Sequence, residues 1–503
     1  MVKIIAVALN LHDHNTYDGV FHNQRERHTR FKHNLPYKAE AYAHQSDILD
    51  PGDYKLNDEF TEKYFKKPDD GVLAFSYTFG GVRKSKEELL KTILKGHDEI
   101  FNYDPKTLWD YYYKDAIYYI DHHQSHAAYA FTNSGFQQSD ILAIDGIGSK
   151  FRCVFFDKDY KLHDLSDKLP IGWLWNHMSN LTGFGTLGAS KLMGKVGYGK
   201  YSEYYYNIFE TILSGPITEK KQKHFQHIKL DNIDDLAHTL QKFTIDKIKE
   251  HVYPLKTCDN LCIAGGVAYN GYMNEEFTKH YKNVFVPPAV GDEGQALGTY
   301  QHADYVLNNN IHITETFAGD LYTDCCYEER ADYKKVAQEI ADGKIIGWFQ
   351  GKSESGNRAL GNRSILADPR NPDIKNIINH TIKMREDFRP FAPVVLEEHY
   401  KEYFDTRGGP SPYMSRICKV KTDKVPGITH VDNTARIQTI NIKDNEKFYN
   451  IVNEFYKITG IPMLLNTSFN CQEPIVETPQ HALRTFRRTA LNMLIIGDWV
   501  IKK

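Results

Sequence analysis

Residues 141–162 read ILAIDGIGSKFRCVFFDKDYKL. A short apolar run ends at Asp145, a Gly-x-Gly turn follows, and a second apolar run over 151–156 stops at DKD. That pattern predicts strand, tight glycine turn, strand, second turn. Just upstream, residues 116–120 predict a short strand running directly into DHHQSHAAYAF, whose alanines favour helix. Downstream, LCIAGGVAYNGYMNEEF reads as a strand over 261–264, a Gly-Gly turn and a helix. VFVPPAVGDEGQALGTYQHA repeats the scheme, with a Pro/Gly loop and a helix opening near Asp292. Strands alternating with helices predict an α/β fold.

The same reading extends to both ends. Residues 2–9 (VKIIAVAL) and 71–77 (GVLAFSY) predict buried strands. Residues 85–101 carry Leu89, Leu90, Ile93, Leu94 and Ile100 at helical spacing, and 232–252 carry Ile233, Leu236, Leu240 and Phe243 on one face. Around 315–332 the pattern becomes irregular, which places a domain boundary near 320 and gives domains 1–320 and 321–503. The second begins with a helix over 333–341 and a strand over 344–350. It ends with a strand over 462–465, a helix over 478–486 and a strand over 493–496.

The chain has 503 residues, 62 Lys+Arg and 65 Asp+Glu, a formal charge of −3. With 41% hydrophobic and 25% charged residues it is no disordered chain, collagen or coiled-coil rod. The near-neutral charge excludes holding nucleic acid by bulk positive charge, though not by a local basic groove. No apolar run approaches the roughly 20 residues of a membrane helix, so no membrane partner is expected. MVKIIAVALN predicts a first strand rather than a secretory signal. The 7 cysteines are scattered without a CxxC pair, which points to reduced thiols and a cytoplasmic protein.

Three constellations carry chemistry. His122 and His126 are spaced i, i+4, so on a helix both imidazoles share one face. Asp292 stands in a glycine-flanked loop, GDEG, and Asp145 opens DGIG. Two His and one Asp make a facial triad with open positions, suited to Fe(II) or another divalent metal. Hydrogen-bonded histidines are the competing reading, which also covers the lesser candidates His123 and His12. In the second constellation, DGIG between strands resembles the phosphate loop of the actin, hexokinase and sugar-kinase superfamily. There Gly146 and Gly148 would let backbone N–H groups near phosphate. AGGVAYN, with Gly265, Gly266 and Asn270, fits the nucleotide loop of that superfold; the competing reading is an ordinary turn. The third is the stretch GKSESGNRALGNRSILADPR, which concentrates Lys352, Arg358, Arg363 and Arg370 among glycines and serines. KMREDFRPFAPVVL adds Lys383, Arg385 and Arg389, DNTARIQT adds Arg436, and LLNTSFN ends with Asn466, Thr467 and Ser468. Guanidinium groups bind phosphate bidentately, so an anion site is expected.

Taken together, these motifs resemble the NodU/CmcH O-carbamoyltransferase family over nearly the whole chain. The matching segments run from QRERHTRFKHNLP (24–36) through DHHQSHAAYAF, DGIG, SKLMG, IAGGVAYN and PPAVGDEGQALG to ESGNRALGNRSILADPR, REDFRPFAP, VDNTARIQT, LNTSFN and EPIVETP. The resemblance implies an N-terminal Kae-like domain of the actin-like (ASKHA) superfamily followed by a YrdC-like α/β domain. It implies that carbamoyl phosphate yields carbamate, which attacks the α-phosphate of ATP, with Mg2+ accompanying the ATP. Pyrophosphate leaves, and the carbamoyl-adenylate then passes its carbamoyl group to an acceptor hydroxyl with loss of AMP. His122, His126 and Asp292 match the family's metal ligands, and Asp145 the acidic residue of its DGxG loop. His12 matches a candidate general base and Lys32 the lysine of the ERxxRxKH motif. Arg358, Lys383, Arg389, Arg436, Asn466 and Ser468 fall in the motifs that hold carbamoyl phosphate and the adenylate. The chain departs from the family at Lys352 (usually Arg), Asn357 (usually Pro), Ala189 (usually Glu) and a shortened NCQEPIV loop.

The implied acceptor is either a small natural product or a hydroxymethylated base such as 5-hydroxymethylcytosine in phage-type DNA. The 33 Tyr, 27 Phe and 5 Trp favour a stacking substrate slightly. A homodimer is compatible with this reading. The rival readings are a tRNA threonylcarbamoyl-type modifier, disfavoured by LNTSFN and RPFAP, and a non-catalytic nucleotide-binding relative of the sugar kinases. The latter needs neither histidine nor the arginine-rich motifs.

Overall fold

KIIAVAL has no helix-forming polar face, and it extends as β1 (Lys3–Leu9). β1 pairs antiparallel with β2 (His14–Tyr17), which pairs with β3 (His22–Gln24). It pairs parallel with β4 (Gly71–Tyr77), which pairs with β5 (Ala116–Asp121), giving the order β3-β2-β1-β4-β5. Ala6, Ala8 and Ala74 are fully buried in this sheet, and the helix Gln295–Asn308 packs on β1 and β4. These coordinates are a computed structural model that describes residues 3–9, 14–24, 27, 71–77, 116–146, 148, 151–185, 187–215, 230–322, 327 and 329–503. His12, Lys32 and the helix expected over 85–101 lie outside the described residues.

β5 runs straight into the helix His122–Ser134 because Asp121 caps it: its Oδ1 accepts N–H bonds from His123 (2.9 Å) and Gln124 (3.4 Å). Gly135, at φ +70°, ends the helix in the left-handed conformation that glycine adopts without strain. The expected hairpin follows. β6 (Asp140–Ile144) pairs antiparallel with β7 (Cys153–Phe156), every residue of both being buried. β8 (Leu162–Asp164) extends that side, and β9 (Asn260–Ala264) lies parallel on the other side of β6. β10 (Asn283–Phe285) completes the order β10-β9-β6-β7-β8. The apolar stripe read over 232–252 is the helix Ile233–His251, capped by Asn232.

The C-terminal residues build one ten-stranded mixed sheet from β11 (Glu329–Arg330), β12 (Ile346–Phe349), β13 (Arg363–Ala367), β14 (Ala392–Leu396), β15 (Phe404–Asp405), β16 (Arg416–Val420), β17 (Thr434–Ile440), β18 (Met463–Ser468), β19 (Met493–Ile496) and β20 (Trp499–Lys502). Their order is β11-β20-β19-β12-β13-β18-β14-β17-β16-β15. Trp348, Ile365, Val394, Phe448, Phe455, Leu464 and Leu494 are fully buried in its core. Each such side chain contributes roughly 1.5–3 kcal/mol through burial. The Trp348 indole N–H is satisfied by the Gly361 carbonyl at 2.7 Å.

The chain divides into two compact units. The first takes the described residues within Met1–Met193, Gly199–Tyr269 and Val284–Glu315, and the second those within Gly194–Tyr198, Asn270–Asn283 and Thr316–Lys503. The short helix Gly271–Phe277 thus belongs to the second unit, where it packs on β16. No described helix is long and apolar enough to cross a membrane.

Candidate active site

In the first unit, helical spacing does what the sequence predicts. His122 and His126 lie one turn apart on the helix His122–Ser134, both essentially without solvent exposure, with ring centroids 4.8 Å apart. Asp145, at the end of β6, and Asp292, in the turn Asp292–Gly294, meet them. His126 Nε2 is 3.1 Å from Asp145 Oδ2 and 3.5 Å from Asp292 Oδ1. His122 Nε2 is 3.6 Å and 3.4 Å from the same two atoms. One ligand atom from each of the four residues lies within 4.8 Å of the others. Donors about 2.1 Å from one ion stand about 3.0–3.5 Å apart when adjacent, so the set fits a divalent cation. Both ring nitrogens of His122 are buried and make no hydrogen bond, as is Nδ1 of His126. Leaving such groups unpaired costs about 1–3 kcal/mol each, which a ligand would remove.

The electrostatics agree. Burial alone would depress His126, but hydrogen bonds to Asp145 and Asp292 overcome it and raise the imidazolium to about 9. Burial alone would raise Asp145, yet His122 and His126 hold its carboxyl well below the usual range. His123 makes no hydrogen bond to these carboxylates. Burial first, then its neighbour His122, push it down to about 3. Neither of its ring nitrogens has a hydrogen-bond partner.

Several residues that carry no motif hold the cluster in place. Ser125 Oγ donates to the Gln295 carbonyl (2.8 Å), and Gln295 Nε2 donates to the His122 carbonyl (3.1 Å), which ties the two helices together. Asn15 on β2 clamps the Asp292 turn, its Nδ2 on the Asp292 carbonyl and its Oδ1 on the Ala296 N–H, both at 3.0 Å. Sequence reading missed Asn15 because its partners lie about 280 residues away. It also missed Gly172. A Cβ there would stand 2.5 Å from the Asp145 carbonyl carbon and 2.6 Å from the Gly146 nitrogen. Gly172→Ala is therefore expected to push the helix Ile171–Leu181 off the Asp145 turn. Overpacking of this kind costs about 1–3 kcal/mol. Thermal unfolding and metal titration of the variant check it, and an unchanged Tm with unchanged metal affinity would refute the close approach.

The glycine loops are placed beside this cluster, but their N–H groups are engaged. Gly146 and Gly266 donate to the Asp145 carboxylate at 2.6 and 3.0 Å. Gly148 donates to the Phe151 carbonyl (3.0 Å) and Gly265, at φ +92°, to the Val290 carbonyl (2.8 Å). What these glycines offer is close approach: a Cβ on Gly148 would fall 2.1 Å from His123 Cε1. Asn270, read with them, belongs to the second unit. It caps the helix Gly271–Phe277 by accepting the Met273 N–H at 3.1 Å.

In the second unit, strand register gathers Arg436, Asn466 and Ser468. Ala392 pairs with Asn466 and Val394 with Gln438, so Arg436 and Gln438 of β17 share a sheet face with Asn466 and Ser468 of β18. Asn466 Nδ2 donates to Gln438 Oε1 (2.7 Å) and to the Ala359 carbonyl (3.0 Å), beside Arg358; its Oδ1 is buried without a partner. Lys383, buried at the end of the π-turn Asn379–Lys383, docks on the end of β18. Its ammonium donates to the Ser468 carbonyl, Ser468 Oγ (3.2 Å), the Asn470 carbonyl (3.2 Å) and Asn470 Oδ1 (2.6 Å). Arg358 and Arg389 act together on Arg385: burial first, then Arg389, then Arg358 lower its guanidinium to about 9 against the opposing pull of Glu386. Asn379, which no motif marked, orders this loop through Arg385 Nε (2.8 Å) and the Arg389 carbonyl (3.1 Å).

Two arginines read as anion ligands are engaged by groups of the protein itself. Arg363 is fully buried, donates to the carbonyls of Gln350, Asn362 (3.0 Å) and Gly351 (3.1 Å), and lies 3.7 Å over the Phe349 ring. Arg370 grips Asp368 at 2.6 Å. Glu354 shapes the loop that leads into Arg363, its Oε1 accepting N–H bonds from Leu360 (2.6 Å) and Arg363 (3.3 Å).

Comparison with known proteins places both halves. Residues 18–300 match the family model for the carbamoyltransferase N-terminus, and residues 337–503 that for the carbamoyltransferase C-terminus. The nodulation protein NolNO of Sinorhizobium fredii is 35% identical over 440 residues, 77% of this chain and 64% of that protein. The chain thus spans less than two thirds of that relative. Nodulation protein NolO of Bradyrhizobium diazoefficiens is 33% identical over 76% of this chain and 79% of its own length. The 3′-hydroxymethylcephem-O-carbamoyltransferase of Streptomyces clavuligerus is 34% identical over 47% of this chain and 48% of its own.

Proposed function

The chain belongs to the carbamoyltransferase family, and from that membership we propose that it is an ATP-dependent O-carbamoyltransferase working in two stages. In the second unit, read as YrdC-like, carbamoyl phosphate and water give carbamate and inorganic phosphate. A carbamate oxygen then attacks the α-phosphorus of ATP, and the bond to the β-phosphate breaks with release of pyrophosphate. In the first unit, read as Kae-like, the acceptor oxygen attacks the carbamoyl carbon of the adenylate. AMP leaves with the bonding pair, and the hydroxyl proton passes to a base, for which His12 is the candidate; Lys32 is assigned to the nucleotide or acceptor.

The observation that carries this reading is the convergence of His122, His126, Asp145 and Asp292 at the end of a glycine-turn hairpin. His122, His126 and Asp292 would hold the cation, Fe(II) or another divalent metal, with Asp145 beside them. That cation would supply fixed positive charge next to the adenylate phosphate. Arg358, Arg389 and Arg436 present guanidinium groups to the phosphates of the first stage, where charge builds on equatorial oxygens. Ser468 and Asn466 supply a hydroxyl and a buried amide oxygen for the carbamoyl group. The named cephem relative supports an oxygen acceptor.

The test is an acceptor panel read by mass spectrometry, with ATP, carbamoyl phosphate, Mg2+ and Fe(II). It includes 5-hydroxymethylcytosine DNA beside an aminoglycoside. Pyrophosphate and AMP are expected to appear with a carbamoylated acceptor. If carbamoyl phosphate stimulates no pyrophosphate release, the two-stage reading is wrong.

A further inference from the structure

The helix Pro479–Arg488 turns Ala482, Thr485 and Phe486 inward and Gln480, Arg484, Arg487 and Arg488 outward. The three exposed arginines stand at i, i+3 and i+4 and line a shallow depression of about 280 Å³ with Gln480 and Leu483. None of the three makes a hydrogen bond, ion pair or ring contact with any described residue. Some exposed lysines of this unit are paired, Lys447 with Asp498 and Lys457 with Glu454 at 2.6 Å and Lys502 with Glu329 at 3.1 Å, while Lys344, Lys419, Lys424 and Lys443 are not; what sets this helix apart is three unpaired guanidiniums within about one turn. The helix dipole favours positive charge in the last turn, which accounts for Arg487 and Arg488 but not for Arg484 one turn earlier.

We propose that this arginine face binds the phosphodiester backbone of a nucleic acid. Exposed guanidiniums hold a single ion weakly, so a lone phosphate would not stay. A polymer presents several phosphates at once. Arg484 and Arg488 lie about 6 Å apart along the helix, which lets each take a different phosphate. A shallow face with one glutamine cannot reach into a groove to read bases, so the contact is backbone-directed and independent of sequence. This goes beyond carbamoyl transfer. It needs neither ATP nor carbamoyl phosphate, and its failure leaves the catalytic reading intact.

The experiment uses the full chain without substrates. Fluorescence anisotropy with labelled duplex DNA, single-stranded DNA and RNA is followed over a salt series. The wild type is expected to bind with a log K that falls linearly with log salt. The Arg484→Gln/Arg487→Gln/Arg488→Gln variant is expected to lose about 2–3 from that slope, since each phosphate contact contributes about 0.7–0.9. A Lys447→Gln/Lys457→Gln control, taken from the paired lysines, should keep the wild-type slope. No binding at low salt, an unchanged slope in the triple variant, or retention on anionic vesicles but not on nucleic acid would each overturn the assignment.

Discussion

His126→Ala is expected to abolish binding of the proposed metal in the first unit and to lower carbamoyl transfer at least about 100-fold. Disturbing even the outer partners of metal ligands costs 10–100-fold, and His126 is placed to be a direct ligand. Its Nε2 faces both Asp145 and Asp292, at 3.1 and 3.5 Å, so its loss removes one of the two imidazoles that bridge these carboxylates and the one nearer Asp145. Carbamoyl-phosphate-dependent ATP–pyrophosphate exchange, which the proposed two-stage reaction assigns to the second unit, should stay within about 3-fold of wild type, under 1 kcal/mol of barrier. Metal content by plasma mass spectrometry and acceptor-dependent AMP release are read on the same preparation. Asp292→Asn serves as the second variant, because it keeps the side-chain shape and removes only charge. Full transfer activity with wild-type metal content in both variants would end the metal assignment. Loss of exchange in step with transfer would instead mean that the two stages are not divided as proposed.

The parts of this site that were legible in the sequence share one property: they are set by local spacing. His122 and His126 meet because four residues make about one helical turn. Asp145 ends a strand because DGIG stops the apolar run, and strand alternation alone puts Asn466 and Ser468 on one face. What could not be read is set by contacts outside any regular helix or strand spacing. Asn15 holds the Asp292 turn from β2, and Asn379 orders the Arg385–Arg389 loop, with no neighbouring pattern to announce either. Guanidinium chemistry also reads two ways. Arg363 has the glycine-rich surroundings of an anion ligand, yet its donors go to backbone carbonyls and its plane rests on Phe349. Asn270 is ambiguous for the same reason: a short amide after Gly-Gly suits a nucleotide loop and a helix cap equally. The glycine turns are real, but two of their N–H groups serve Asp145, so their main contribution here is to hold that carboxylate beside the histidines.

Arg389→Ala and Lys383→Met should both abolish adenylate formation, by at least about 100-fold in exchange rate, a barrier change of about 2.7 kcal/mol or more. They should differ in stability. Arg389 is one quarter exposed and stands 3.6 Å from Glu386, a loose surface pair worth about 0–1 kcal/mol. Its removal should leave Tm nearly unchanged while taking a guanidinium from the Arg358–Arg385–Arg389 group. Lys383 is buried, and its ammonium is the common donor to Ser468 and Asn470 at the end of β18. Lys383→Met keeps the volume but leaves those acceptors unsatisfied, at about 1–3 kcal/mol each, so Tm should fall by several degrees. Lys383→Arg should not rescue, since a planar fork cannot reproduce a point donor to acceptors at 2.6 and 3.2 Å in a closed space. Thermal unfolding beside carbamoyl-phosphate-dependent exchange separates the two roles. If Lys383→Met lost exchange at an unchanged Tm, its ammonium would be serving the substrate directly rather than fixing Ser468 in place. If Arg389→Ala lost only the final transfer and kept exchange, the arginine group would belong to the second stage, not the first.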